Sequence, residues 1–250
     1  MKPKSFITIG LWILLLGALC TGYLFYTGIL QFNHPDPEKY PVKGVDVSSY
    51  QGEIDWEVLA SQDIRFAFIK ATEGSGYQDP YFVSNWEQAR SADVAVGAYH
   101  FFSYDSPGRQ QAENFIAAVP KMEHALPPVI DVEFYGDYER NPPSKNAVVS
   151  SLQEMIDELE TYYGVKPMLY ATKKSYDLYI SGGFPDHPIW IRDVFGFPKL
   201  SDSRDWSFWQ YSNRMRLEGY DGAEPYIDMN VWNGTQDSFE RFMYENRSIK

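Results

Sequence analysis

An aspartate and a glutamate stand two residues apart in an otherwise apolar run, Pro127-Pro128-Val129-Ile130-Asp131-Val132-Glu133-Phe134. If this run is a strand, its side chains alternate between two faces, so Asp131 and Glu133 share one face about 6.6 Å apart. Two neighbouring carboxyl groups in an apolar wall are what acid-catalysed cleavage of a glycosidic bond requires. The tripeptide alone is more often a solvated strand end, so its meaning depends on the acids that the fold brings to it.

The elements that must position this pair follow from hydrophobic periodicity. Eight runs predict strands, at 44–50, 66–72, 94–104, 129–134, 166–172, 188–194, 206–212 and 226–232. Helical patterns cover 79–92, a segment that begins at Ser106-Pro107, 144–163, 174–180 and 235–245. The helix over 144–163 has a continuous apolar stripe, and Gly164 is suited to end it.

Alternation of strands and helices predicts a parallel sheet with helical crossovers. The last three strands are separated by only about a dozen residues, too few for a crossover helix with its loops. We therefore predict an α/β fold, an irregular (β/α)5β3 barrel of the triosephosphate isomerase type. In such barrels the catalytic side chains lie at the carboxyl ends of the strands.

Two more carboxylates are expected at the same mouth. Alternation along the first and last strands turns Asp46, Asp228 and Asn230 into the barrel. These two strands are adjacent in a closed barrel, and the strand of Asp131 and Glu133 lies across the lumen. Any one of these acids alone is most simply bonded to loop amides, but four at one cavity raise the pKa of at least one member. The result is a carboxylic acid that keeps its proton near neutral pH, which is a general acid.

Six motifs in order along the chain resemble the lysozymes of glycoside hydrolase family 25, the N-acetylmuramidases. They are Gly-Val-Asp-Val-Ser-Ser-Tyr-Gln-Gly with Ile-Asp-Trp (44–56), Phe-Ile-Lys-Ala-Thr-Glu-Gly (68–74), Gly-Ala-Tyr-His-Phe (97–101), Pro-Val-Ile-Asp-Val-Glu (128–133), Trp-Gln-Tyr-Ser (209–212) and Ile-Asp-Met-Asn-Val-Trp-Asn-Gly (227–234). The resemblance covers about 43–240. It implies five β/α units followed by three strands, in agreement with the strand count.

The resemblance also implies roles for individual residues. Glu133 would be the general acid, and Asp131 would orient the 2-acetamido group of the substrate or stabilise positive charge. Asp46 and Asp228 would line the site and hold substrate or water. The candidate substrate-binding residues are Tyr99, Tyr170, Trp190, Arg192, Gln210 and Asn230. For the three aromatic residues among them, stacking on a sugar and packing at the rim are equally expected.

Three further residues concern the walls of the site. Lys70 and Glu73 match the family and are expected to form a structural ion pair. Arg192 departs from the family, which usually has a small residue after Trp-Ile. Its side chain is expected to project into the cleft, where it could bind a peptide-stem or lactyl carboxylate, or narrow one subsite.

Composition excludes several classes of function. The formal net charge of −12 argues against a nucleic-acid partner, because phosphate binding needs clustered Lys and Arg. A single cysteine, Cys20, excludes an intrachain disulfide, and the four His show no ligand spacing, so no metal or other cofactor is expected.

The amino terminus contains a 25-residue segment, 6–30, without any charge. As a helix it would be roughly 37 Å long, enough to cross a bilayer core of about 30 Å. Lys2 and Lys4 would keep the amino terminus in the cytoplasm. We therefore predict a single-pass membrane anchor over 1–30, a linker over 31–42 and a catalytic barrel over 43–246 outside the cytoplasm. A cleaved signal peptide followed by secretion is the alternative.

The leading functional hypothesis is a monomeric peptidoglycan hydrolase that acts on glycan strands. It would cut the β-1,4 bond between N-acetylmuramic acid and N-acetylglucosamine. Two alternatives are open from the sequence. One is a catalytically silent peptidoglycan-binding module, and the other is a hydrolase of chitin-like polymers of N-acetylhexosamine.

Overall fold

The computed structural model describes residues 3–27, 30, 32–121 and 125–245. Parts of the predicted anchor (1–2 and 28–29), linker residue 31 and the predicted barrel end at 246 lie outside the described residues. The helices are α1 (Pro3–Tyr26), α2 (Trp56–Ala60), α3 (Phe82–Ser91), α4 (Gly108–Ala118), α5 (Lys145–Tyr163), α6 (Lys173–Ser175) and α7 (Gln236–Glu245). The strands are β1 (Lys43–Val47), β2 (Phe66–Glu73), β3 (Tyr77–Gln78), β4 (Ala95–Phe101), β5 (Val129–Val132), β6 (Met168–Thr172), β7 (Ile189–Arg192), β8 (Phe208–Met215) and β9 (Ile227–Trp232).

Within the described residues, a barrel is closed by the pairing of β1 with β2. The sheet order is β1-β9-β8-β7-β6-β5-β4-β2-β3, and β3 is a short antiparallel edge strand on β2. Five strands are each followed by helical structure before the next barrel strand, and β7, β8 and β9 follow without an intervening helix. The predicted irregular barrel is therefore confirmed.

The direction of the last strand differs from the expectation of a parallel sheet. Apart from the edge strand β3, the strands from β1 to β8 pair in parallel around the barrel, but β9 is antiparallel to both β8 and β1. The 11 residues between β8 and β9 (216–226) are fewer than the roughly one dozen that a connection between parallel strands needs, whereas the 15 residues between β7 and β8 (193–207) are enough. As a consequence, the amino end of β9 lies at the carboxyl ends of the other strands. Asp228 reaches the mouth of the barrel from that end.

Sequence patterns account for most element types but not for every boundary. Ser144 caps the amino end of α5 by accepting a hydrogen bond from the backbone of Ala147, and Gly164 ends the helix with φ 73°. The predicted helix over 174–180 is instead the single turn α6 followed by a π-helical turn, Tyr176–Ile180. The short elements α2 and β3 were not predicted, because five and two residues carry too little periodicity.

The barrel interior and the layer between strands and helices are two separate apolar clusters. Inside the barrel, Phe66, Phe68, Met168, Trp190 and Phe208 are fully or almost fully buried. The outward side chains of the same strands pack against α3, α4 and α5. Because the interior is filled by these side chains, the barrel is open only near its carboxyl-end mouth.

Residues of the predicted linker pack along the outer face of the barrel. The side-chain amide of Asn33 donates to the backbone oxygens of Asp193 and Tyr211, at 3.0 and 2.9 Å. The Tyr40 ring lies against the rings of Trp206 and Trp209, with centroids 5.7 and 6.2 Å apart. This segment therefore covers β8 on the side where the early strands carry helices.

The predicted transmembrane helix is not supported by the structure. Of the helices in the part of the chain that the structure describes, none combines the length and the apolar character needed to cross a membrane.

Candidate active site

A cleft of about 800 Å³ opens at the carboxyl-end mouth of the barrel. It is lined by nine of the ten predicted site residues, namely Asp46, Tyr99, Asp131, Glu133, Tyr170, Trp190, Arg192, Gln210 and Asp228. The tenth, Asn230, lies beneath the cleft and is fully buried. The four carboxylates predicted to converge from β1, β5 and β9 therefore share one cavity.

Asp46 and Asp228 face each other in the antiparallel register of β1 and β9. Gln210 donates through its Nε2 atom to both carboxylate oxygens of Asp46, at 2.9 and 3.1 Å, and to Asp228 Oδ2 at 3.0 Å. Asn230 donates to Asp46 Oδ1 at 2.7 Å. Two side-chain amides thus hold this pair of acids together.

The two amides are themselves oriented by aromatic side chains. The hydroxyl of Tyr170 donates to Gln210 Oε1 at 3.0 Å, and the indole of Trp190 donates to Asn230 Oδ1 at 2.7 Å. Each amide oxygen is thereby occupied, so each amide nitrogen points at the carboxylates. Four of the predicted substrate-binding residues therefore also form a hydrogen-bonded layer that supports the Asp46–Asp228 pair.

Asp131 and Glu133 have a different environment. Their side chains point into the barrel mouth from β5 and its end, while Ile130 and Val132 pack into the outer layer, as alternation predicted. Phe134, beyond the end of β5, belongs to the outer cluster and also lines the cleft. Neither carboxyl group is hydrogen-bonded to a residue that the structure describes, and the Oδ1 atom of Asp131 is buried without a partner.

The pKa values of all four acids are raised, chiefly because burial disfavours the charged form. For Asp46, the hydrogen bonds from Asn230 and Gln210 oppose this effect. The pKa of Asp131 is raised well above its usual range by burial and by the charge of Glu133. Burial raises the pKa of Glu133 to about 7 against the opposing charge of Arg192. Glu133 can therefore hold a proton near neutral pH and release it.

Lys70 and Glu73 form the expected ion pair, with 2.7 Å between Nζ and Oε2. The Lys70 ammonium group also lies over the ring of Phe101, 4.9 Å from its centroid. Its charge lowers the pKa of Asp131 and of Glu133 against the effect of burial.

Residues on the loops of the rim were not predicted from the sequence. Tyr135 and Glu139 follow β5, and Tyr50 follows β1, and all three line the cleft. The Tyr135 hydroxyl accepts a hydrogen bond from the Tyr104 backbone at 3.0 Å, which joins the loops after β4 and β5. Aromatic residues just beyond strand ends were the available signal. The described residues include no group of three or more acidic, His or Cys side chains arranged to hold a metal ion.

Comparison with known proteins gives consistent results. The sequence model described as "Glycosyl hydrolases family 25" matches residues 45–220. The protein YegX of Escherichia coli O157:H7 is 32% identical over 231 residues, which cover 89% of this chain and 82% of YegX. Lysozyme M1 of Streptomyces globisporus is 31% identical over 216 residues, 78% of this chain and 68% of that protein.

A solved structure shares the fold. The structure of a family 25 glycosyl hydrolase from Bacillus anthracis superposes with a TM-score of 0.80 at 52% sequence identity. The match covers 88% of this chain and 99% of the other.

Proposed function

The chain belongs to glycosyl hydrolase family 25, and we propose that its acidic cleft cleaves peptidoglycan with Glu133 as the general acid and Asp131 as its assistant. The family is one of glycosidases, and relatives include lysozymes and N,O-diacetylmuramidases, so the protein is a peptidoglycan hydrolase of the lysozyme type. The bond proposed to be cut is the β-1,4 link from N-acetylmuramic acid to N-acetylglucosamine.

The observation that carries the assignment of Glu133 is its protonation behaviour at its place in the cleft. A general acid works best when its pKa is near the working pH, and the pKa of Glu133 is about 7. Its carboxyl group opens to the cleft at the end of β5, where a glycosidic oxygen can approach. Proton transfer from Glu133 to that oxygen would release the leaving sugar while positive charge develops on the other ring.

Asp131 is proposed to act on the sugar that carries this positive charge. Asp131 lines the same cavity as Glu133, and the small part of the residue that remains exposed can face the substrate there. It would either orient the 2-acetamido group or stabilise the charged ring directly. Asp46 and Asp228 are proposed to hold substrate or water, because their oxygens are already positioned by amide donors.

The three aromatic candidates for substrate binding pack against one another. Trp190 is almost fully buried, stacked on Phe68 with ring centroids 4.4 Å apart, and Tyr170 packs against its edge at 4.5 Å. Tyr99 packs edge-on against Trp190 at 6.4 Å. We propose that these three rings form the apolar floor on which a sugar face rests, since only their cleft-facing atoms remain open.

The test is the product formed from purified peptidoglycan. Mass spectrometry of the released fragments should show N-acetylmuramic acid at the new reducing end. Glu133→Gln should release no reducing ends while it keeps the circular dichroism spectrum of the parent. Binding of wall fragments without turnover by the parent protein would contradict the proposal and indicate a silent binding module. Faster cleavage of N-acetylglucosamine oligomers than of peptidoglycan would instead indicate a chitin-like substrate.

Action on the cell wall places the barrel outside the cytoplasm, and we propose that the charge-free segment 6–30 directs it there as a membrane anchor or as a signal for secretion. Lys2 and Lys4 before this segment support the orientation with the amino terminus inside. Membrane fractionation and the mass of the mature chain distinguish the two. A barrel of this size with its own filled interior is proposed to act as a monomer, which size-exclusion chromatography with light scattering tests.

A further inference from the structure

Arg192 is a cationic side chain inside an acidic cleft. It is the last residue of β7, and it faces the lumen like Trp190, two positions earlier, while Ile189 and Ile191 pack outward. It lines the cleft together with Glu133 and is partly exposed there. A guanidinium group in this position can meet a bound substrate.

The guanidinium of Arg192 makes no hydrogen bond or ion pair to any residue that the structure describes. By contrast, Lys70, which lines the same cleft, is paired with Glu73 at 2.7 Å. The charge of Arg192 acts on Asp46, Asp131, Glu133 and Asp228 through space. Its planar set of N–H donors, which suits a carboxylate with two parallel hydrogen bonds, is left for another partner.

The distance to the proposed general acid suits one sugar unit and its substituents. β7 is separated from β5 by β6 alone, so two interstrand spacings place the backbones roughly 10 Å apart. Both side chains point into the same cavity. A sugar whose glycosidic oxygen meets Glu133 therefore brings its ring substituents towards Arg192.

Of the two sugars in peptidoglycan, only muramic acid carries an acid-derived substituent, the 3-O-lactyl group, which is a free carboxylate on peptide-free strands and an amide where a stem peptide is attached. We propose that Arg192 binds a carboxylate borne by the muramic acid unit, and so selects carboxylate-bearing glycan over neutral N-acetylhexosamine polymers. The inference rests on the proposed function. The carboxylate comes from the lactyl group itself or from the stem peptide.

The experiment compares four substrates with the full chain. They are peptide-free peptidoglycan strands, the same strands with methyl-esterified lactyl groups, peptide-bearing strands, and peptide-bearing strands with amidated stem carboxylates. The parent protein should cleave one free-acid substrate with a KM about ten-fold lower than that of its neutral counterpart. A preference for peptide-free strands over their methyl-esterified form identifies the lactyl carboxylate. A preference for peptide-bearing strands over their amidated form identifies the carboxylates of the stem peptide.

Arg192→Gln should remove this preference by raising KM for the free-acid substrate about ten-fold while KM for its neutral counterpart stays close to the parental value. Loss of the charge should also move the alkaline limb of the pH profile to higher pH for every substrate, because Arg192 opposes the raised pKa of Glu133. Arg192→Lys keeps the charge but loses the planar donor pair, so it should restore the pH profile without restoring the full preference. Lys199→Gln removes one positive charge from the exposed loop after β7 and is the matched control. It should retain the parental preference.

A role limited to offsetting the charge of the four acids gives a different pattern. Arg192→Gln would then change kcat/KM of all four substrates by the same factor, and Arg192→Lys would repair that change in full. That result, or a parent protein that does not distinguish acid from neutral strands, overturns the inference while the proposed function stands. Failure of the proposed function is distinguishable, because the parent would then cleave none of the four.

Discussion

The cleft contains two pairs of buried acids that differ in how they are held. Asp46 and Asp228 lie on adjacent antiparallel strands and accept hydrogen bonds from Gln210 and Asn230. Asp131 and Glu133 lie on one strand and receive no hydrogen bond from the described residues. Both pairs have raised pKa values for the same main reason, which is burial. The two pairs therefore differ in their hydrogen bonding and not in the direction of their pKa shifts.

This difference in hydrogen bonding separates the acids that hold substrate or water from the acids that take part in the chemical step. Carboxylates fixed by amide donors have their positions set and keep some lone pairs free, which suits them to orient substrate or water. A buried carboxyl group without a protein donor has no hydrogen bond to offset its desolvation, and such groups persist mostly at functional sites. Glu133 and Asp131 fit the second description, so the chemical step is assigned to them.

Glu133→Gln gives the largest expected effect. It removes the transferable proton while it keeps the shape of the side chain, so the release of reducing ends should fall about a thousand-fold. The melting temperature should be unchanged or higher, because a buried ionisable group without a partner is removed. The control is Glu113→Gln on the exposed face of α4, which should keep parental activity. More than a tenth of the parental rate in Glu133→Gln would transfer the acid role to another residue.

Asp131→Asn should reduce kcat about a hundred-fold, less than the loss at Glu133. The asparagine can still contact an acetamido group, but it cannot balance positive charge on the sugar. The comparison of kcat with KM is decisive here, because a residue that only packs the cleft would change stability and leave kcat largely intact.

The pH dependence should report Glu133. Because its pKa is raised to about 7, the acid is protonated below that pH, and kcat/KM should fall about ten-fold for each unit well above it. The folded state then binds more protons than the unfolded chain between the ordinary glutamate pKa of 4.5 and about 7. The contribution of Glu133 to stability is thus fully present below 4.5 and is lost as pH rises through 7.

Melting temperatures measured between pH 4 and pH 8 test the sign of this linkage. The parent protein should lose stability relative to Glu133→Gln as pH rises through this interval. A parent that gains stability over the same interval relative to the variant would mean that Glu133 is ionised in the folded state. It could not then act as the proton donor.

The contrast between the two pairs could be predicted from the sequence only in part. The period of two along a strand was enough to place Asp131 and Glu133 on the lumen side, because each strand has just two faces. The position of Asp228 was also predicted, whereas the antiparallel direction of its strand was not. The last two connections were recognised as too short for a crossover helix, but this shortness alone did not separate the parallel β8 from the antiparallel β9.

The hydrogen bonds that distinguish the pairs could not be predicted. Gln210 and Asn230 reach Asp46 across 164 and 184 residues of sequence, so their geometry exists only after the barrel closes. The packing of Asn33 and Tyr40 on β8 was hidden for a similar reason, since a polar, Pro-rich stretch has the composition of a free linker. Its contacts depend on a face of the barrel that lacks a helix.

Gln210→Leu should have the smallest effect on catalysis and a clear effect on stability. Leucine fills a similar volume but removes the donor shared by Asp46 and Asp228 and the acceptor of the Tyr170 hydroxyl. Buried polar groups left without partners should lower the free energy of unfolding by about 2 kcal/mol. Activity should stay within ten-fold of the parent, because Asp131 and Glu133 keep their surroundings.

The matched control is Gln153→Leu on the exposed face of α5, where the amide donates a hydrogen bond to Asp157 at 2.7 Å. It should change the free energy of unfolding by less than about 0.5 kcal/mol. Chemical denaturation and initial rates are measured on the same samples. If Gln210→Leu instead abolished turnover as fully as Glu133→Gln and left stability intact, the hydrogen-bonded pair would be the reacting one. The assignment of roles to the two pairs would then be reversed, because the amides would be holding the proton donor in place.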